Sequence, residues 1–124
     1  MKIAIPVDDK SLQSKICVSF GRTPYFLIYD TETKESKFFD NSAAASQGGA
    51  GIKAAQAIVD EDVSALITPR LGENAAEVLK AADIKLYKTM NDSVVDNIEA
   101  FVTDSLIILN EIHAGFHNHG GVGK

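Results

Sequence analysis

Apolar and polar positions along this chain fall into short blocks whose period changes partway through. Ile3-Ala4-Ile5-Pro6-Val7 is a continuous apolar run stopped by Asp8-Asp9, which predicts a buried strand. Pro6 counts against that reading, because proline has no N–H to give a ladder. A polar stretch from Asp9 to about Thr23 is longer than most connections. Tyr25-Phe26-Leu27-Ile28-Tyr29 is rich in β-formers, and Thr31-Glu32-Thr33-Lys34 turns the chain back into Ser36-Lys37-Phe38-Phe39, giving a hairpin.

From there the period becomes helical. Gly48-Gly49-Ala50-Gly51 opens an amphipathic run to about Asp60, and Ser64-Ala65-Leu66-Ile67-Thr68 is a strand ended by Pro69. Ala75, Val78, Leu79 and Ala82 recur at i, i+3, i+4 and i+7, the stripe of a helix facing a core, with Asp83 where it must stop. Ile84-Lys85-Leu86-Tyr87 is a short strand. Asn91, Asp92 or Ser93 caps a third helix with Val94, Val95, Ile98, Phe101 and Val102 on one face. Leu106–Leu109 fits strand or helix equally, and a Gly-, His- and Asn-containing tail, expected to be mobile without metal, follows Ile112.

Three strands on short or polar loops, then alternating helices and strands, predict an α/β domain with a mixed sheet covered by helices. With strands one to three antiparallel in sequence and a helical crossover after the third, strand four returns parallel to strand one. The 9–23 loop, the glycine loop and the Arg70-Leu71-Gly72 turn then meet at one sheet edge, where open α/β sheets bind ligands.

Composition narrows the function. A chain of 124 residues builds one core, and a net charge of −5 argues against general nucleic-acid binding. No apolar run reaches membrane-spanning length, and the start is too soon charged for a signal peptide. One cysteine, Cys17, excludes an internal disulfide, suits a reducing cytoplasm, and cannot build a four-thiolate cluster site within one chain.

Three glycines in four residues leave backbone open to close approach, and the helix they start offers N–H groups and a positive dipole end to an anion. Arg22 and Arg70 are expected to converge there as anion clamps. Asp8-Asp9 invites a nuclease reading, but adjacent residues at a strand end point apart, and two-metal phosphoryl transfer needs converging carboxylates. No nucleophile–base arrangement stands out, so a non-enzymatic protein is expected.

Two metal-ligand candidates remain. Cys17 lies between Ile16 and Val18 and reads as a small buried apolar residue or as a thiolate donor. His113, His117 and His119 could close around a metal in an extended turn, or belong to a polar tail with adventitious affinity.

Met1–Asp9, Phe20–Asp30, Gly48–Ile52, Leu71–Ala75 and Ala82–Tyr87, in this order, resemble the motifs of the dinitrogenase iron-molybdenum cofactor biosynthesis family of small carriers and accessory proteins. The resemblance covers residues 1–103 and leaves 104–124 as a C-terminal extension. It implies a three-layer ribonuclease H-like domain with helices on both faces of its sheet. It also implies handling of an iron-sulfur or iron-molybdenum type cluster, or a precursor, as transient cargo exchanged with metallocluster donor or acceptor proteins.

On these grounds Phe20, Gly21, Arg22, Gly48, Gly49, Gly51, Arg70 and Gly72 are the candidate cofactor-binding residues, and Cys17, His113, His117 and His119 the candidate metal ligands. A monomer or weak homodimer is expected. Two departures matter. Ser19 occupies the position where many members carry a histidine, and a hydroxyl is a poor ligand for soft metal chemistry. Pro69-Arg70 replaces smaller residues and adds a fixed cation. The alternative reading is a phosphate- or nucleotide-binding regulatory module without cluster chemistry.

Overall fold

The computed structural model describes residues 1–110. Strands β1 (Lys2–Val7), β2 (Tyr25–Asp30), β3 (Ser36–Asp40), β4 (Ala65–Thr68) and β5 (Lys85–Lys88) form one sheet in the order β3-β2-β1-β4-β5. β1 runs antiparallel to β2 and parallel to β4, and β4 is parallel to β5. Helices α1 (Ala50–Asp60), α2 (Glu73–Ala81) and α3 (Val94–Val102) complete the ribonuclease H-like arrangement that the resemblance implies.

Side chains alternate across the sheet because the pleat has a period of two. Ala4, Phe26, Ile28, Leu66 and Leu86 meet Ala54, Ala55 and Ile58 of α1 and Ala75, Ala76 and Leu79 of α2. Ile3, Ile5, Val7, Leu27, Ala65 and Ile67 face the other way, with Val94, Ile98 and Phe101 of α3. Both faces of β1 are therefore buried, and its sequence reads as an unbroken apolar run.

Pro6 falls where the ladder to β4 ends. β1 and β4 share only the partners Ile3↔Ala65 and Ala4↔Leu66, while β1 continues beside β2 as far as Val7↔Tyr25. Pro6 lies beyond the last β4 partner. Beside that stretch the 8–17 loop folds back in place of β4: Val7 bridges Ile16, and the Cys17 N–H donates to the Pro6 carbonyl at 2.9 Å. The Ile16 N–H donates to the Asp92 carbonyl at 2.8 Å, tying the loop to the start of α3. This long connection is a packed element, with Ile16 itself buried.

Residues 106–109 are extended. Leu109 N–H donates to the Leu86 carbonyl and Lys88 N–H to the Ile107 carbonyl, each at 2.9 Å, so this stretch covers the β5 edge. Leu109 is buried in the core, so the chain beyond residue 103 still packs on the domain at least that far. The histidines His113, His117 and His119, and the tail expectation attached to them, lie outside the described residues.

Each α-helix ends with an aspartate in the left-handed region: Asp62 after α1 (φ 59°), Asp83 after α2 (φ 65°) and Asp104 after α3 (φ 59°). After α2 the Asp83 N–H reaches the Lys80 carbonyl and the Ile84 N–H reaches that of Leu79, satisfying two end carbonyls. Glycine fits this conformation better, and a carboxylate opposes the negative end of the helix dipole. Replacing Asp83→Gly is expected to stabilise the protein by about 0.5–1 kcal/mol, and Asp83→Asn by a few tenths through the charge alone. A higher denaturant midpoint with an unchanged m-value checks this.

Candidate functional site

Because β1 and β4 are parallel, their carboxyl ends lie at the same edge, and their paired register ends at Ala4 and Leu66. The chain leaves β1 toward β2 and leaves β4 toward α2 and β5, so this is a point where the strand order turns in opposite directions. An open cavity of about 560 Å³ lies at this edge, walled by residues 18–22, 47–52 and 70–75. Gly21, Arg22, Gly48, Gly49, Gly51, Arg70 and Gly72 all border it, as does Phe20.

The walls are the starts of α1 and α2. Small residues bring these helices together: a Cβ on Gly51 would sit 3.7 Å from that of Ala75. Neither N-terminus carries a side-chain cap, since Gly49 and Gly72 occupy the cap positions. α3 lies away from the cavity and is capped conventionally, Asp96 N–H donating to the Ser93 hydroxyl at 3.2 Å. Two helix starts with uncapped first-turn N–H groups and positive dipole ends therefore flank one opening.

The glycines have different reasons. Gly21 is demanded by packing: a Cβ there would meet the backbone nitrogen of Gly51 at 3.0 Å and its Cα at 3.1 Å. Gly49 is demanded by its conformation, φ 70°. Gly48 and Gly72 have neither reason, since an added Cβ meets nothing within 4 Å at either position. At those two positions a side chain would extend into open space beside the cavity.

The structure places the expected residues in different settings. Phe20 is only 4% exposed, and its ring packs on Phe26 with centroids 5.2 Å apart, so its side chain belongs to the core. Arg22 spends Nη1 on the carbonyls of Ala44 and Ser46, at 2.9 and 2.8 Å, and is first a strut. Arg70 lies in the wall, where the Thr68 hydroxyl donates to its carbonyl at 3.1 Å and fixes the turn into α2. Cys17 lies outside the wall, which includes Val18 and Ser19, and its thiol meets the Ser19 carbonyl at 3.6 Å. Among the described residues no group of three or more His, Cys, Asp or Glu gathers to hold a metal.

Asn41 escaped the sequence reading. It is buried, and its amide donates to the carbonyls of Gly21 at 3.1 Å and Thr23 at 2.9 Å. Its side-chain oxygen accepts from Ala43 N–H at 3.2 Å and caps a 3-10 turn over Ser42–Ala45. An asparagine directly before Ser42-Ala43-Ala44-Ala45 is the sequence trace of that cap. Glu73 and Asn74, in the first turn of α2, also line the cavity, as do the partly exposed Val18 and Ile52.

Comparison with known proteins follows the same boundaries. The profile of a family described as dinitrogenase iron-molybdenum cofactor matches residues 1–104. An uncharacterized protein of Methanocaldococcus jannaschii is 32% identical over 109 residues, spanning 86% of this chain and 89% of its own. The apo form of the orange protein from Desulfovibrio gigas superposes with a TM-score of 0.83 at 26% identity, over 88% of this chain and 92% of that one. The solution structure of a NifB candidate from Thermotoga superposes with a TM-score of 0.78 at 36% identity, over 92% and 97%.

The glycine assignments separate in experiment. Gly72 has φ −79° and ψ 160°, a cap conformation that serine adopts readily. Gly72→Ser is expected to cap α2 and stabilise the fold by roughly 0.5–1 kcal/mol, while weakening any anion held between the helices. Gly21→Ala is expected to cost about 1–3 kcal/mol through overpacking. Paired thermal unfolding and ligand titration of both variants check this.

Proposed function

We propose, since the chain belongs to the dinitrogenase iron-molybdenum cofactor family, that it is a non-enzymatic carrier or accessory protein. Its cargo is an anionic iron–sulfur type cluster, iron-molybdenum-like, or a precursor of one. The observation that carries this reading is the cavity between two uncapped helix starts, bordered by Arg22 and Arg70 and by glycines.

Among the described residues the lining contains neither cysteine nor histidine. These residues offer amide N–H groups, guanidinium charge and apolar surface rather than soft donors. A cargo held this way arrives with its own ligands complete and is bound through its periphery. Such binding is reversible, which suits a protein that passes its cargo on to an acceptor. A structural relative described in an apo form supports a fold that takes up and gives up a ligand. Asp8 and Asp9 are exposed and outside the cavity wall, which weighs against the nuclease alternative. No helix among the described residues is long and apolar enough to cross a membrane.

The phosphate- or nucleotide-binding module remains the second reading, because the same helix starts and arginines suit a phosphate. Metal and sulfide analysis of protein purified without oxygen distinguishes the two. Under the carrier reading the isolated chain contains, or takes up on reconstitution, iron or molybdenum together with sulfide. Arg70→Ala is expected to weaken uptake by on the order of 1–3 kcal/mol, the loss of a charge-assisted contact. Cys17→Ser is expected to leave uptake unchanged, because the thiol lies outside the wall. Ser19→His adds an imidazole on the wall and should raise it. Metal-free protein that gains thermal stability with phosphate or nucleotide would favour the second reading.

A further inference from the structure

The two helix starts in the cavity are not equivalent. The first turn of α1 carries no acidic residue, whereas α2 begins with Glu73, the one carboxylate in the cavity lining among the described residues. Glu73 is exposed and has no ion-pair partner among the described residues, whose ion pairs involve Asp30, Glu32, Asp40 and Glu61. Its charge therefore acts on whatever occupies the cavity. An acid in a first turn also favours its own helix, so the residue has an ordinary structural role as well.

We infer that Glu73 is a specificity-determining residue of this cavity, setting how much negative charge a ligand can carry. The inference rests on the anion-binding reading above. The Coulomb term between a fixed carboxylate and a ligand is proportional to the ligand's charge. Glu73 thus penalises a dianion twice as heavily, in free energy, as a monoanion of the same shape. Two helix starts without such a counterweight would favour the most highly charged anion available. With Glu73 in place, the α1 end, beside Gly48 and Gly49, is the stronger pole, and a bound ligand places its most negative face there.

The test uses two tetrahedral oxyanions of similar size, molybdate with two charges and perrhenate with one, titrated into the full chain at low ionic strength. Glu73→Gln, which keeps the side chain's shape, is expected to tighten molybdate roughly 4–10-fold and perrhenate by about the square root of that factor. Both gains should shrink as salt is added. Glu77→Gln, one turn further along α2, removes the same charge from an exposed position outside the cavity lining and is expected to give a clearly smaller gain for each oxyanion. An equal gain for both oxyanions, no gain, or the same gain in Glu77→Gln would overturn the role of Glu73 while leaving an anion site in place. Failure of wild type and every variant to bind either oxyanion would overturn the anion site itself, and this inference with it.

Discussion

The end of the β1–β4 register at Ala4 and Leu66 is the constraint on which the site depends. Pro6, which has no N–H to donate, cannot extend that ladder. Beyond it the free side of β1 must find other partners, and the 8–17 loop supplies them through Val7–Ile16 and the Pro6 carbonyl. The chain then leaves this patch as the 18–22 wall of the cavity. The end of the register, the long loop and the cavity edge are thus one feature.

Much of this was legible in the sequence, for definite reasons. Continuous apolar runs marked the buried strands, and a 3.6-residue stripe marked α2, because burial on both faces and on one face leave different patterns. The convergence of residues 20–22, 48–51 and 70–72 followed from strand direction alone. What escaped depends on contacts distant in sequence. The loop around Ile16 looked polar because only Leu12 and Ile16 anchor it to the core, with the buried Ser14 between them. Leu106–Leu109 could not be resolved by period, since its conformation is set by bonds to Leu86 and Lys88. Phe20 looked like a motif residue, and its burial against Phe26 was invisible from a neighbourhood of Ser19 and Gly21. Cys17 attracted attention as the lone thiol, whereas its backbone N–H is the part that holds the loop to β1.

The three helices divide their labour in a way that composition does not announce. α3, whose start is remote from the cavity, has the serine cap and the buried Asn97, whose amide donates to the Ser93 carbonyl at 2.7 Å and whose oxygen accepts from Met90 N–H at 2.9 Å. α1 and α2 forgo side-chain caps and rely on packing against each other and the sheet. Stability given up at a helix start is a common feature of anion sites, because the groups a cap would satisfy are those a ligand needs.

The bonds between residues 21–23 and 41–46, directly behind the cavity wall, have a consequence for how the protein fluctuates and evolves. Asn41 donates to the carbonyls of Gly21 and Thr23, and Arg22 donates back to those of Ala44 and Ser46, so each segment supplies acceptors for a side chain of the other. Neither can peel away alone, since displacing one strands polar groups on both. Local opening of this wall is therefore a single cooperative event, and its amides should exchange with solvent together, as one unit. For the same reason, a lineage that changes Asn41 or Arg22 must change the facing segment to keep the cavity. These two stretches, about twenty residues apart in the chain, are then expected to vary as a pair among relatives.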